Sequence, residues 1–173
     1  KLGSMEMTAT SDLDLMTIYL PDDPSASSSL KGWAPETFFG RFTQRLIAAV
    51  SAPTHEGRLY EIDLKLRPSG AKGPVAVSLA AFENYYTREA DTWEFLALTR
   101  ARMVEADSGF AARVDAAIAE VLSRPRDANK TIDDLTSMRA LMAKERPPRH
   151  AFDLKLVAGG LIDLEFIAQS AQL

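Results

Sequence analysis

Residues 57–70 (GRLYEIDLKLRPSG) alternate apolar and charged side chains, whereas beyond Pro74 and the short run VAVS the apolar spacing is helical almost to the end. A period of two belongs to a strand with one wet face, and a period near 3.6 to an amphipathic helix. A chain that changes rhythm once in this way is restricted to a sheet with helices packed on it and a mostly helical second half, an α+β design. Within the alternating stretch Tyr60, Ile62, Leu64 and Leu66 fall on one face, and Glu61, Asp63, Lys65 and Arg67 on the other. Pro68 and Gly70 should end this half-buried strand.

Other elements follow from the same rules. Residues 12–20 (DLDLMTIYL) are expected to form a strand and PDDPSASSSLKGW a polar loop. A helix is expected over 34–52, with Pro35 in its first turn and Phe39, Phe42, Leu46 and Val50 on the buried face. Later helices are expected over 79–88, 91–105, 108–123 and 132–144. The last has Thr131 as its cap, Asp134 three residues on, and Pro147-Pro148 as its stop. FDLKLVAGGLIDLEFIAQ reads as a strand, a turn at Gly159-Gly160 and a helix. Phe82, Tyr85, Tyr86, Trp93 and Phe95 are assigned to the core. Two parts result: 1–104, and a helical extension over 105–173 whose strand and double-glycine turn come back to the first part.

Composition narrows the function. Twenty basic and 24 acidic residues leave a net charge of −4, without the electrostatic footprint of a nucleic-acid binder. There is no cysteine, which excludes disulfides and thiolate metal sites and fits a reducing cytoplasm. No apolar run approaches the roughly 20 residues that span a bilayer. The chain opens near a glycine turn and closes in an apolar helix-compatible segment, so a fragment of something larger is expected.

The chemistry rests on carboxylates. Asp12 and Asp14 share a face of one strand, and Asp63 lies on the polar face of another. If those faces coincide, three acids meet, an unfavourable arrangement unless a cation compensates. Hard oxygen donors suit Mg²⁺ or Mn²⁺ shared with nucleotide phosphates. Two such ions roughly 4 Å apart can serve an in-line displacement at phosphorus. Upstream stand Gly3 and Ser4, small residues whose amides and hydroxyl can hold phosphate oxygens. Lys65 and Arg67 are candidates either for phosphate contact or for covering the sheet and pairing with Glu61. Arg67 is the better phosphate ligand of the two because its planar fork binds oxygens two at a time. His55 and His150 lie in loop-like stretches, where exposure is expected.

A Gly-Ser turn followed by Asp-apolar-Asp, with a third Asp on a later strand, resembles the polymerase-β-like nucleotidyltransferase superfamily. SDLDLM, LYEIDLKLRPSGAKGP, AFENYY, TWEFLALTRARMV and GGLIDLEFIAQ occur in the order found in the glutamine synthetase adenylyltransferase family, and the likeness spans essentially the whole chain. Met5 departs from the Arg that commonly follows the turn. That family pairs two related domains, one adding AMP to a tyrosine of glutamine synthetase and one removing it by phosphorolysis. LRPSG, TWE and ALTRAR resemble the adding half; the removing half, and a non-catalytic domain that grips glutamine synthetase or a regulatory partner, are the alternatives.

The resemblance implies a mixed or antiparallel sheet with flanking helices, ATP as donor, and Mg²⁺ or Mn²⁺ held by Asp12, Asp14 and Asp63. It implies Gly3, Ser4, Lys65 and Arg67 on the nucleotide side, and glutamine synthetase as protein substrate. The PII signalling protein would be read through other regions, and no nucleic acid, no membrane and a cytoplasmic location are expected. Arg100 and Arg102 lie two positions apart on a helix, so at most one should reach the site. Asp163 and Glu165 are expected to be structural, with Glu165 and Lys155 joining the helical part to the sheet.

Overall fold

The computed structural model describes the chain except residues 1, 2, 4, 9, 10 and 105. It is α+β, packed as two compact units: 1–90 with 101–117, and 91–100 with 118–173. Among the described residues, no helix is long and apolar enough to cross a membrane.

The first unit is built on two parallel strand pairs. Strand β1 (Leu13–Asp14) and strand β2 (Thr17–Tyr19) take different partners, β5 (Ile62–Asp63) and β6 (Ala76–Ser78) respectively. The expected single strand over 12–20 is therefore broken at Leu15-Met16, where the chain leaves one partner and reaches the next. A hairpin joins β3 (Pro53–Thr54) to β4 (Gly57–Arg58). The alternating stretch is accordingly not one long strand: its start turns back on β3, its middle pairs with β1, and a 3₁₀ turn at Gly70–Lys72 follows. Alternation guarantees extended backbone, but a ladder also needs a neighbour along its length.

Helix α1 (Pro35–Val50) begins on Pro35, whose missing N–H is no loss in a first turn. Its buried face is turned about one residue from the expected one. Phe39 stacks on Tyr19 with centroids 4.6 Å apart, and Thr43 is fully buried with its hydroxyl donating to Phe39 O at 2.9 Å. Phe42 and Leu46 are instead exposed, 55% and 41%, in a row with Phe38. Helix α2 (Leu79–Arg88) is capped by Ser78, whose Oγ accepts from the Ala81 amide at 3.2 Å. It closes the core with Phe82 and Tyr86, over Ala76 and Val77.

The second unit contains α3 (Thr92–Leu98), the end of α4 (Ser108–Ser123), α5 (Ala128–Glu145) and α6 (Leu161–Ser170). Helix α3 is shorter than expected and starts in a capping box: the Asp91 amide donates to Glu94 Oε2 at 2.9 Å. Helix α5 starts four residues early. Asp127, not Thr131, caps it by accepting from the amides of Asn129 and Lys130, and Asp134 turns to Lys130 and Thr92. No strand forms over 152–157. That segment is a run of turns closed by Leu161 N donating to Leu154 O at 2.8 Å. Gly160 permits it, because a Cβ there would lie 2.5 Å from Leu154 O and 2.8 Å from Val157 O.

Trp93 is 40% exposed, and Phe95 is half-buried with the Arg126 guanidinium 4.4 Å from its ring centroid. Neither belongs to the core where the sequence put them, whereas Leu96 and Leu98 on the same helix do.

Candidate active site

Ahead of β1, the Ser11 amide donates to Thr8 O at 3.1 Å, and the Thr8 amide to Ser11 Oγ at 3.0 Å. From there Leu13 N donates to Glu61 O at 2.8 Å, and Leu15 N to Asp63 O at 3.0 Å. These bonds fix a register in which Asp14 stands opposite Asp63. Partners in a parallel pair share a face and lie roughly 5 Å apart, so the two carboxylates are brought to one side of the sheet. Asp12, exposed and two residues before Asp14, precedes the paired segment.

Side chains complete the picture. Lys65 Nζ donates to Asp63 Oδ2 at 2.8 Å, and the Lys65 amide donates to Oδ1 at 2.8 Å. The Lys65 hydrogen bond, helped by the charges of Lys65 and Arg67 and opposed by partial burial, holds the Asp63 carboxyl below its ordinary 3.8. Lys65 is raised in turn, first by its bond to Asp63 and then by the charges of Asp63, Asp12 and Asp14. The ammonium is bonded to Asp63 and feels the charges of Asp12 and Asp14 more weakly. Among the described residues, no three His, Cys, Asp or Glu side chains are gathered closely enough to hold a metal ion. The donor chemistry still suits a hard divalent cation, since the available groups are carboxylate oxygens on adjoining strands. The positive charge beside Asp63 in this structure is Lys65.

Arg67 is where sequence and structure part. It was expected on the polar face as a phosphate ligand, but it is only 9% exposed. Nη1 donates to Leu64 O at 2.7 Å, Nη2 to Ala71 O at 3.3 Å and Gly73 O at 3.2 Å, and Nε to Gly73 O at 3.2 Å. A guanidinium so engaged has little left to offer a phosphate. Of the proposed nucleotide turn, Gly3 is half-buried in a turn and Ser4 lies outside the described residues.

Outside this face, Glu165 pairs with Arg100 at 3.3 Å, not with Lys155. Asp163 is held by Arg139 and by the Gly159 amide at 2.6 Å, which lower its carboxyl below 3.8 in that order. His55 and His150 are exposed. Sequence reasoning gave Arg139 no role, and its position on a solvated-looking helix carries no signal of one. Gly73 was passed over too, although the density of glycine in SGAKG was a hint of close backbone approach.

The model of the glutamate-ammonia ligase adenylyltransferase family matches residues 1–117. The chain belongs to that family. It is 63% identical over its whole length to the bifunctional glutamine synthetase adenylyltransferase/adenylyl-removing enzyme of Caulobacter vibrioides, covering 18% of that protein. It is 55% identical over 99% of its length to the protein of the same name from Mesorhizobium japonicum, covering 17%. The likeness to Rhodopseudomonas palustris is 49%, again over the whole chain. The chain therefore spans under a fifth of the length of the curated relatives it matches.

Proposed function

We infer that this chain is the adenylylating half of such an enzyme, moving AMP from ATP to a tyrosine of glutamine synthetase. The observation that supports nucleotidyl transfer is the register of β1 on β5, which sets Asp14 beside Asp63 with Lys65 paired to the latter, and the segments LRPSG, TWE and ALTRAR favour the adding half. In the reaction the tyrosine oxygen bonds to the α-phosphorus, the bond from that phosphorus to the bridging oxygen of pyrophosphate breaks, and the phenol proton passes to a base. Asp63 is the proposed acceptor. Asp14 and Asp63 would hold Mg²⁺ or Mn²⁺ jointly with the nucleotide phosphates, Asp12 turning in to complete the set, and the ion would neutralise phosphate charge. Lys65 is proposed to move from Asp63 to the phosphate side, a displacement its 78% side-chain exposure leaves unobstructed. Positioning and electrostatic stabilisation, without a covalent enzyme intermediate, would supply the rate. Regulation through PII would rest with other parts of a longer polypeptide.

Unmodified glutamine synthetase, labelled ATP and Mg²⁺ test the reading. Incorporation of AMP, lost by about a hundredfold or more in Asp14→Asn and Asp63→Asn, supports it. Release of ADP from adenylylated glutamine synthetase and phosphate, without incorporation, would assign the removing half. Binding of glutamine synthetase without either turnover would leave a docking domain.

A further inference from the structure

The connection between β5 and β6 is more ordered than a loop of its composition requires. After Asp63, the chain circles the Arg67 guanidinium, which reaches carbonyls at both ends of the circuit: Leu64 at the start, and Ala71 and Gly73 at the close. The backbone adds its own rungs, with Gly70 N donating to Arg67 O at 2.8 Å, Lys72 N to Ser69 O at 3.1 Å, and Gly73 N to Gly70 O at 3.2 Å. Ser69 accepts a left-handed φ of 60°, which a residue with a Cβ adopts only when its surroundings demand it. Gly73 is there because a Cβ would stand 2.1 Å from Pro68 O.

An arginine is the side chain that can do this. Its five N–H groups lie in one rigid plane, so that Nε and Nη2 can converge on a single carbonyl while Nη1 turns to another. A lysine offers three donors at one point and cannot reach both ends of the circuit at once. The acceptor at the start of the circuit, Leu64 O, belongs to the residue directly after Asp63. That carbonyl shares one planar peptide unit with the Lys65 N–H, which donates to Asp63 Oδ1 at 2.8 Å, so whatever fixes the carbonyl fixes a bond that orients the Asp63 carboxylate.

We propose that Arg67 is a positioning residue for Asp63: by binding the carbonyls of Leu64, Ala71 and Gly73 it locks the 64–73 turn and with it the orientation of the Asp63 carboxylate. This rests on the reading of Asp63 as a metal-holding carboxylate. Outer partners that orient metal ligands typically change metal affinity by about 10–100-fold when removed.

The test titrates Mn²⁺ in the presence of ATP, by electron paramagnetic resonance, on the 173-residue chain and on Arg67→Lys, Arg67→Gln and Asp63→Asn. Asp63→Asn separates the two readings: if it leaves Mn²⁺ binding unchanged, the metal assignment itself is wrong. If it abolishes binding, the expected result for both Arg67 variants is a loss of about tenfold, with no rescue by lysine. Restored binding in Arg67→Lys would mean that a point charge suffices, as for a phosphate ligand, and would overturn the proposal. So would a lowered melting temperature with unaltered Mn²⁺ affinity in the folded protein, the mark of a merely structural arginine. Should the variants not fold, amide exchange on the unmodified chain decides. Gly70, Lys72 and Gly73 should be protected at least as long as Leu15, and exchange at open-loop rates would overturn the assignment.

Discussion

Arg67 and Arg139 each organise a turn within their own unit, and they differ in what they bind. Both thread a guanidinium among backbone carbonyls, and both turns contain a glycine whose missing Cβ makes room for a carbonyl: Gly73 against Pro68 O, Gly160 against Leu154 O. Arg67 binds carbonyls of Leu64, Ala71 and Gly73. Arg139 binds the carbonyls of Leu156 and Val157 and also the Asp163 carboxylate. A carbonyl cradle cannot be switched off by protons, whereas a carboxylate clasp can. The Arg67 contacts beside the proposed site are thus the pH-indifferent ones.

The largest effect should come from the tightest approach. Gly73→Ala places a methyl 2.1 Å from a backbone oxygen, and should destabilise its unit by about 3 kcal/mol, read as a shifted urea midpoint. A change within experimental error would show that the cradle yields. Arg139→Ala comes next. It strips Asp163 of its cation and frees two carbonyls, and because the pair is only partly buried the expected loss is about 2 kcal/mol. Loss confined to probes in 64–73 would contradict the separation of the two turns.

Acid should then distinguish them. The Asp163 carboxyl is held below 3.8, chiefly by Arg139 and then by the Gly159 amide. A depressed folded value means stabilisation that is complete above the unfolded pKa and lost as pH falls through the folded one. The Gly159 amide resonance should therefore titrate with a midpoint below 3.8, while that of Gly73 holds still. A Gly159 midpoint at or above the ordinary value would remove the clasp from the description. The smallest effect is expected at Lys65. Its pair with Asp63 is exposed, so Lys65→Met should leave the urea midpoint almost unchanged, even where it changes Mn²⁺ binding.

What could be read from the residues depended on how local the cause was. Helices α2 and α4 have the spans that their periodicity gives, since spacing and caps lie within the segment. On α1, Phe39 lies on the face its spacing gives and stacks on Tyr19, but Thr43 is buried while Phe42 and Leu46 are exposed, a choice made by what the helix packs against. The alternating stretch promised one strand, but only Ile62–Asp63 finds a partner in β1. Arg67 fits the polar phase of the alternation perfectly and is nevertheless buried, since beyond Leu64 the backbone has left the strand. The acidic positions were conspicuous as residue types. Their common register, and the lysine among them, became visible only with pairing and side chains in place.

Both parallel pairs join residues far apart in the chain. Leu13 waits for Ile62, 49 positions later (62 − 13), and Thr17 for Ala76, 59 positions later (76 − 17). On a ribosome the N-terminal strands emerge well before anything they can pair with, while α1 can coil at once. Pairing of β1 with β5 and of β2 with β6 must therefore trail synthesis of their partners, the long-range kind of contact that slows folding.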